Sequence, residues 1–103
     1  MNIVIFVTIA NKKEAEKIAS VLVKEKLAAC VNIMENVHSL FWWQGRVDMA
    51  SEALLIVKTR KALLSKLIKK VKSLHSYEVP EIIALPIIGG NKEYLRWINE
   101  STR

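Results

Sequence analysis

Cysteine, proline and glycine are scarce in this sequence, and so are aromatic residues. Among 103 residues there are one cysteine, two prolines and three glycines, and aromatic side chains make up 7%. A lone cysteine excludes a disulfide within the chain. No apolar run approaches the ~20 residues that a membrane-spanning helix needs, and the residues after Met1 lack the basic flank of a signal peptide. We therefore expect a cytoplasmic protein with no membrane partner.

Apolar residues, in contrast, are abundant for so short a chain. They make up 51% of the sequence, and the mean hydropathy is +0.19. The length corresponds to a single domain over residues 1–103, which is large enough to fold alone. Surplus apolar surface on a small soluble protein usually forms a subunit interface. The composition therefore predicts an oligomer.

The charge balance is basic, with 16 Lys and Arg against 10 Asp and Glu and a net charge of +6. Such a balance permits nucleic-acid binding but does not require it. The lysines of the predicted second helix spread over its surface without interleaved aromatic residues, which is typical of a solvated face. The strands also lack the aromatic signature of RNA-binding sheets. We therefore predict no nucleic-acid partner.

The apolar periodicity predicts seven elements in the order β-α-β-β-α-β-α. Asn11, with Glu14 three residues later, should cap the first helix, and the long second strand should carry a bulge near Glu35-Asn36 and end at a Gln44-Gly45 turn. Residues 46–51 are expected to form a polar connection. The predicted bounds are 2–9, about 11–26, 27–43, 52–59, 60–74, 81–85 and a short helix after Asn91.

This order of elements predicts an α+β fold of the ferredoxin-like, split-βαβ kind. In that fold a four-stranded antiparallel sheet carries helices on one face. Several of the strands are nevertheless apolar on both faces, and the second strand is long enough to leave its edge unpaired. Contacts between subunits would cover the uncovered face and the unpaired edge.

Two residues are candidate ligands for a soft metal ion. Cys30 is flanked by small apolar residues, where most cysteines are simply buried. His75 ends the lysine-rich helix, where an imidazole can stabilise the helix terminus. As the functional alternative, the thiol and the imidazole, with Glu78 or Glu81, would suit copper or zinc. No metal-ligand spacing is present in the sequence, so such a site would have to be assembled in space.

The remaining candidates indicate binding rather than catalysis. Glu78 and Glu81 have no companion nucleophile and are interpreted as ion-pairing or binding groups. A buried Lys58 would need one of these carboxylates, and Trp43 should lie at a sheet or subunit interface. Because no nucleophile with a base and an orienting group is present, we do not expect an enzyme.

Five segments, taken in order, resemble the CutA divalent-cation-tolerance family. Among them are the Ala-Ala-Cys-Val-Asn and His-Ser-Tyr-Glu-Val-Pro-Glu motifs. The resemblance implies a tight homotrimer of ferredoxin-like protomers, a cytoplasmic location, and tolerance to copper and other divalent cations with Cys30 and His75 as metal ligands. Phe41 departs from the tyrosine that is common in the family. The segments are 27–33, 39–45, 52–59, 75–82 and 90–98.

Two functional hypotheses follow. The first is a trimeric, non-enzymatic protein that binds copper or another divalent cation and takes part in the response to metal ions. The second is a trimeric small-molecule sensor or interaction scaffold resembling the PII-type signal proteins. In that alternative Trp43, Lys58, Tyr77 and Glu81 line a pocket between subunits, and metal binding is incidental.

Overall fold

The computed structural model describes all 103 residues and contains four strands and three α-helices. A 3₁₀ turn at Lys61–Leu63 precedes the second helix. The elements are β1 (Asn2–Ile9), α1 (Lys12–Lys24), β2 (Cys30–Trp43), β3 (Arg46–Arg60), α2 (Leu64–Leu74), β4 (Ile82–Pro86) and α3 (Lys92–Ser101).

The four strands form one antiparallel sheet in the order β2-β3-β1-β4. This is the predicted split-βαβ arrangement, so the fold prediction is confirmed. Alternate residues of β1 and β3 enter a core of 14 buried side chains together with residues of α1 and α2. The two helices therefore cover one face of the sheet, and we call the other face the open face. The strand residues of this core are Ile3, Ile5, Val7, Ile9, Ala53, Leu55 and Val57.

The first turn of α1 forms as predicted, but only half of the capping box is made. The side chain of Asn11 accepts a hydrogen bond from the backbone N–H of Glu14 at 2.9 Å, which satisfies one of the free donors at the helix start. The carboxylate of Glu14 points elsewhere and lies 3.8 Å from the Nδ1 atom of His75. The start of α1 is thereby connected to the end of α2.

The strands β2 and β3 form a hairpin of 14 and 15 residues that ends at the predicted turn. Gln44 and Gly45 have φ values of 49° and 80°, the left-handed pair that a tight two-residue hairpin turn requires. The predicted bulge is also present, because the pairing register shifts between Met34 and Val37.

The prediction that residues 46–51 form a polar connection is wrong. Arg46 pairs directly with Trp43, and β3 starts at Arg46. The two-residue turn leaves no room for a longer connection, so the polar residues after it become the outer half of a strand. Polar side chains are tolerated there because this part of the hairpin extends beyond the core.

The projecting hairpin gives the chain more surface than a compact monomer of its size exposes. The radius of gyration is 14.1 Å, against about 13 Å for a domain of this length. The accessible surface is 6957 Å², whereas a monomer of this mass exposes roughly 5,900 Å². Large apolar side chains on the hairpin are open to solvent, including Leu40 at 70%, Trp42 at 75% and Met49 at 73% exposure.

The helix α3 returns to the end of the sheet where β1 begins and β3 ends. The side chain of Asn2 donates a hydrogen bond to the carbonyl oxygen of Leu95 at 3.0 Å, and Arg60 donates two to Thr102. Ile98 is fully buried but lies outside the main core cluster. None of the helices combines the length and the apolar character that crossing a lipid bilayer requires.

Of two glycines that are open to solvent, Gly45 should tolerate substitution less well than Gly89. Neither Gly45 nor Gly89 has an atom within 4 Å of an added Cβ, but only Gly45 has a positive φ. Gly45→Ala should therefore lower the free energy of unfolding by about 1 kcal/mol through backbone strain, as measured by urea denaturation. Gly89→Ala is the matched control and should have no such cost. Equal effects of the two substitutions would contradict the turn geometry.

Candidate functional site

Cys30 is the first residue of β2 and lies on the open face of the sheet. It pairs with Lys58 of β3, whose chain neighbours Val57 and Thr59 are fully buried beneath the helices. Because side chains alternate along a strand, Lys58 and its partner Cys30 point away from the helices. The cysteine is partly exposed and free.

Three polar side chains surround the Cys30 thiol. The Sγ atom lies 3.9 Å from Oδ1 of Asn32, and the ammonium group of Lys58 donates a hydrogen bond to that same oxygen. Tyr94 of α3 is the third neighbour. Burial raises the pKa of Tyr94, and the charge and hydrogen bonding of Cys30 add to this shift. One chain therefore offers a thiol with an amide, an ammonium and a phenol around it, which is not a sufficient set of metal donors.

His75 is fully enclosed, and both of its ring nitrogens have partners. Its side chain has 0% exposure. Nε2 lies 2.8 Å from the carbonyl oxygen of Thr8 and must donate to it, while Nδ1 accepts from the backbone N–H of Tyr77 at 3.0 Å. With these bonds, Nε2 carries a proton and the lone pair of Nδ1 is in use. The geometry therefore argues against the prediction that His75 ligates a metal.

The structure does not bring Cys30 and His75 together within one chain. Cys30 is level with Val4 of β1, since both pair with Lys58, whereas His75 bonds to Thr8, four residues further along β1. Four strand residues span about 13 Å. His75 also follows α2 on the helix-covered side of the sheet. No cluster of three or more His, Cys, Asp or Glu side chains with metal-binding geometry occurs in the chain.

Tyr77, predicted to line a pocket between subunits, bonds within the chain to a buried glutamate that the sequence did not single out. Its hydroxyl donates to Oε2 of Glu52 at 2.8 Å, and Glu52 is only 9% exposed. Burial raises the pKa of Tyr77 to about 12, and the hydrogen bond and charge of Glu52 and the charge of Glu14 add to this. Since 25 residues separate the pair, no local spacing could have revealed it.

A polar cleft of about 180 Å³ opens next to this pair. It lies between the start of α1, the bulge of β2 and the facing part of β3. The register shift of β2 between Met34 and Val37 places the bulge residues Glu35 and Asn36 in one wall of this cleft. The lining residues are Ala10, Asn11, Lys12, Glu35, Asn36, Ser51, Glu52 and Ala53.

The other predicted pocket residues lie apart from one another. Trp43 is at the tip of the hairpin and is 54% exposed. Glu78 and Glu81 are exposed in the segment between α2 and β4, and neither forms an ion pair. Lys58 is beside Cys30 on the open face. Within one chain these residues and Tyr77 therefore do not line a common pocket.

Tyr77→Phe should test the role of the Tyr77–Glu52 hydrogen bond. Removing the hydroxyl leaves one oxygen of the buried Glu52 carboxylate without its partner, and a loss of this kind costs about 1–3 kcal/mol of unfolding free energy. Urea denaturation at neutral pH measures it. Glu78→Gln alters an exposed, unpaired carboxylate in the same segment and serves as the control with little effect.

The same variant should change the alkaline stability. Because the folded-state pKa of about 12 exceeds the ordinary value of 10.0, the unfolded tyrosine ionises first as pH rises. The stabilisation that results from this difference in pKa is complete below pH 10.0 and is lost as the pH rises towards about 12. Wild-type unfolding free energy should therefore fall more steeply than that of Tyr77→Phe across this interval. Parallel profiles would show that Tyr77 does not titrate in this way.

Comparison with known proteins gives matches along almost the entire chain. The family model described as CutA1 divalent ion tolerance protein matches residues 3–101. The divalent-cation tolerance protein CutA of Thermus thermophilus is 49% identical over 102 residues, which are 99% of each chain. The chloroplastic CutA 1 protein of rice is 51% identical over 102 residues, which are 99% of this chain but 58% of the rice protein.

Solved structures agree with this assignment. The Thermus thermophilus protein superposes over the full length of both chains with a TM-score of 0.98 and 48% identity. The structure described as the periplasmic divalent cation tolerance protein CutA from Archaeoglobus fulgidus does so with a TM-score of 0.97 and 45% identity. In sequence and in fold, this chain belongs to the CutA1 divalent ion tolerance protein family.

Proposed function

We propose that this chain contributes to divalent-cation tolerance as a non-enzymatic, cytoplasmic homotrimer that binds copper or another divalent cation through Cys30. Family membership supports the tolerance role. The observation that carries the binding proposal is the position of Cys30. It is the chain's only thiol, it is partly exposed, and it lies on the open face. A thiol is the donor that soft and borderline cations prefer.

The open face and the hairpin support the assembly proposal. The open face carries Ile83 and Leu85 of β4 at 51% and 46% exposure, and the outer hairpin adds further apolar surface. The strands β2 and β4 are the two edges of the sheet, so both present unpaired backbone groups. When copies of the chain bury these surfaces against one another, the exposed apolar side chains leave water and the backbone groups of the edge strands gain hydrogen-bond partners.

The arrangement around Cys30 implies that a second copy completes any metal shell. The Lys58 ammonium is hydrogen bonded to Asn32, next to the thiol, and its charge opposes a bound cation. Donors from a neighbouring chain would have to outweigh that repulsion. We therefore propose a site shared between subunits, with His75 excluded from it and retained as a structural residue.

The cytoplasmic location is part of this proposal. The rice relative is named as chloroplastic and the Archaeoglobus structure as periplasmic, so members of the family occur in more than one compartment.

Calorimetric titration of the reduced protein with Cu(I), Cu(II) and Zn(II) tests the metal proposal. Cys30→Ser should weaken binding by at least about tenfold, since even the loss of a ligand's supporting partner costs that much. His75→Gln should lower the unfolding free energy, because it disturbs the bonds to Thr8 and Tyr77, while the metal affinity of the folded protein stays the same.

Light scattering on each variant provides the control, because the oligomeric mass must be unchanged for the comparison to hold. Metal binding that is indifferent to Cys30→Ser would refute the Cys30 proposal. Binding that is lost in His75→Gln at unchanged mass would restore His75 as a ligand.

The assembly proposal makes a separate prediction for the hairpin. Leu40 and Met49 face each other across β2 and β3. The double substitution Leu40→Lys and Met49→Lys should convert the trimer to a monomer, because charged side chains resist burial in an interface. Val23→Lys, on the exposed surface of α1 at 43% exposure, is the control and should leave the mass unchanged. A trimeric double variant would contradict this interface.

One observation favours the alternative function, a small-molecule sensor. The cleft beside Glu52 is concave, as ligand sites are, and it brings polar side chains from three parts of the chain together. None of the residues predicted for the sensor pocket lines this cleft. Tyr77 is linked to it only through the hydrogen bond to Glu52. Absence of metal binding in the titrations would direct attention to this cleft.

A further inference from the structure

The positive charge of the protein is concentrated on its helical layer, residues 12–26 and 61–74. This layer holds ten of the 16 basic residues and three of the 10 acidic residues. Its net charge is therefore +7, and that of the remaining chain is −1. The segment 61–74 contains five lysines and no acidic residue.

The acidic side chains of this layer are already engaged. Glu25 pairs with Lys70 at 3.1 Å, Glu16 pairs with Lys12 at 3.8 Å, and Glu14 accepts a hydrogen bond from the backbone N–H of Ser76 at 3.4 Å. The other lysines of the layer have no acidic partner within 4.0 Å. These unpaired lysines are Lys13, Lys17, Lys24, Lys26, Lys61, Lys66, Lys69 and Lys72.

The two helices present these charges on one continuous surface. The Lys70–Glu25 pair joins them at one place, and the contact of His75 with Glu14 joins them at the other end, so α1 and α2 lie side by side and antiparallel. The open face and the hairpin carry most of the exposed apolar side chains. An assembly that buries those surfaces leaves the helical layer facing solvent.

We propose that the helical layer binds inorganic polyphosphate, a flexible linear polyanion. Eight unpaired ammonium groups match a chain of closely spaced phosphates, and such binding gains free energy by releasing counterions. Lysine binds phosphate as a point charge, without the fixed geometry of arginine, which suits a ligand with no unique orientation.

The shape and composition of the layer favour a flexible polyphosphate over other polyanions. α1 and α2 have 13 and 11 residues and are therefore only about 20 and 17 Å long. Stiff duplex DNA that crosses so short a surface would meet few of the lysines. No aromatic residue occurs in either segment for a base to stack on. Val23 is the layer's one exposed large apolar residue, which gives a lipid surface little to bury.

The test compares two triple variants with the same change in net charge. Lys66→Gln, Lys69→Gln and Lys72→Gln remove exposed, unpaired lysines of α2, whereas Lys92→Gln, Arg96→Gln and Arg103→Gln remove three exposed charges at the C-terminal end. End-labelled polyphosphate is titrated by fluorescence anisotropy at several NaCl concentrations. Duplex DNA and anionic vesicles are run in parallel, and circular dichroism and light scattering confirm fold and mass.

The helix variant should bind polyphosphate at least about tenfold more weakly. Because three phosphate contacts are lost, the slope of the logarithm of its association constant against the logarithm of the salt concentration should be shallower by about two. The C-terminal variant should behave like wild type. Equal losses in the two variants would show an effect of net charge alone and overturn the proposal. Absence of binding at physiological salt, or tighter binding of duplex DNA or vesicles than of polyphosphate, would overturn it as well.

Discussion

Two helices can cover only one face of a four-stranded sheet, and the rest of this protein follows from that limit. α1 and α2 bury the inner side chains of β1 and β3 in the main core. α3 protects only the end of the open face, where Asn2 and Arg60 bond to it. The rest of that face, the edges β2 and β4, and the outer hairpin carry apolar groups that one chain cannot bury. The proposed assembly and the proposed shared metal site therefore depend on the same uncovered surface.

The segment after α2 shows that a motif rich in functional residue types can serve the fold. His75 and Tyr77 connect the segment after α2 to β1 and β3 through two hydrogen bonds, to Thr8 and Glu52, and a third bond joins the two residues to each other. Each group satisfies a polar partner that burial would otherwise leave unpaired. The chemistry of a metal ligand and that of a buried structural histidine use the same nitrogen lone pair, and in this chain the lone pair of His75 is already taken.

Sequence alone was sufficient where the determining signals were local. The Asn11 cap, the Gln44-Gly45 turn and the element order were predicted because each depends on neighbouring residues or on periodicity. The strand start at Arg46 was missed because polar composition resembles a loop when a strand leaves the core. The separation of Cys30 from His75 and the Tyr77–Glu52 bond were beyond reach, since both depend on the register of strands far apart in the chain.

The pairing of β1 with β4 has a consequence for the order of folding. Ile3 pairs with Pro86, so this contact closes a loop of most of the chain, whereas the hairpin of β2 and β3 closes through a two-residue turn. Local hairpins form in microseconds, and distant strand pairs form more slowly because of the entropy of loop closure. During synthesis the hairpin is complete before β4 has been made. The nascent chain thus exposes the apolar surface of its hairpin before its sheet is finished. Early contact between the hairpins of neighbouring nascent chains therefore competes with completion of the fold of each chain.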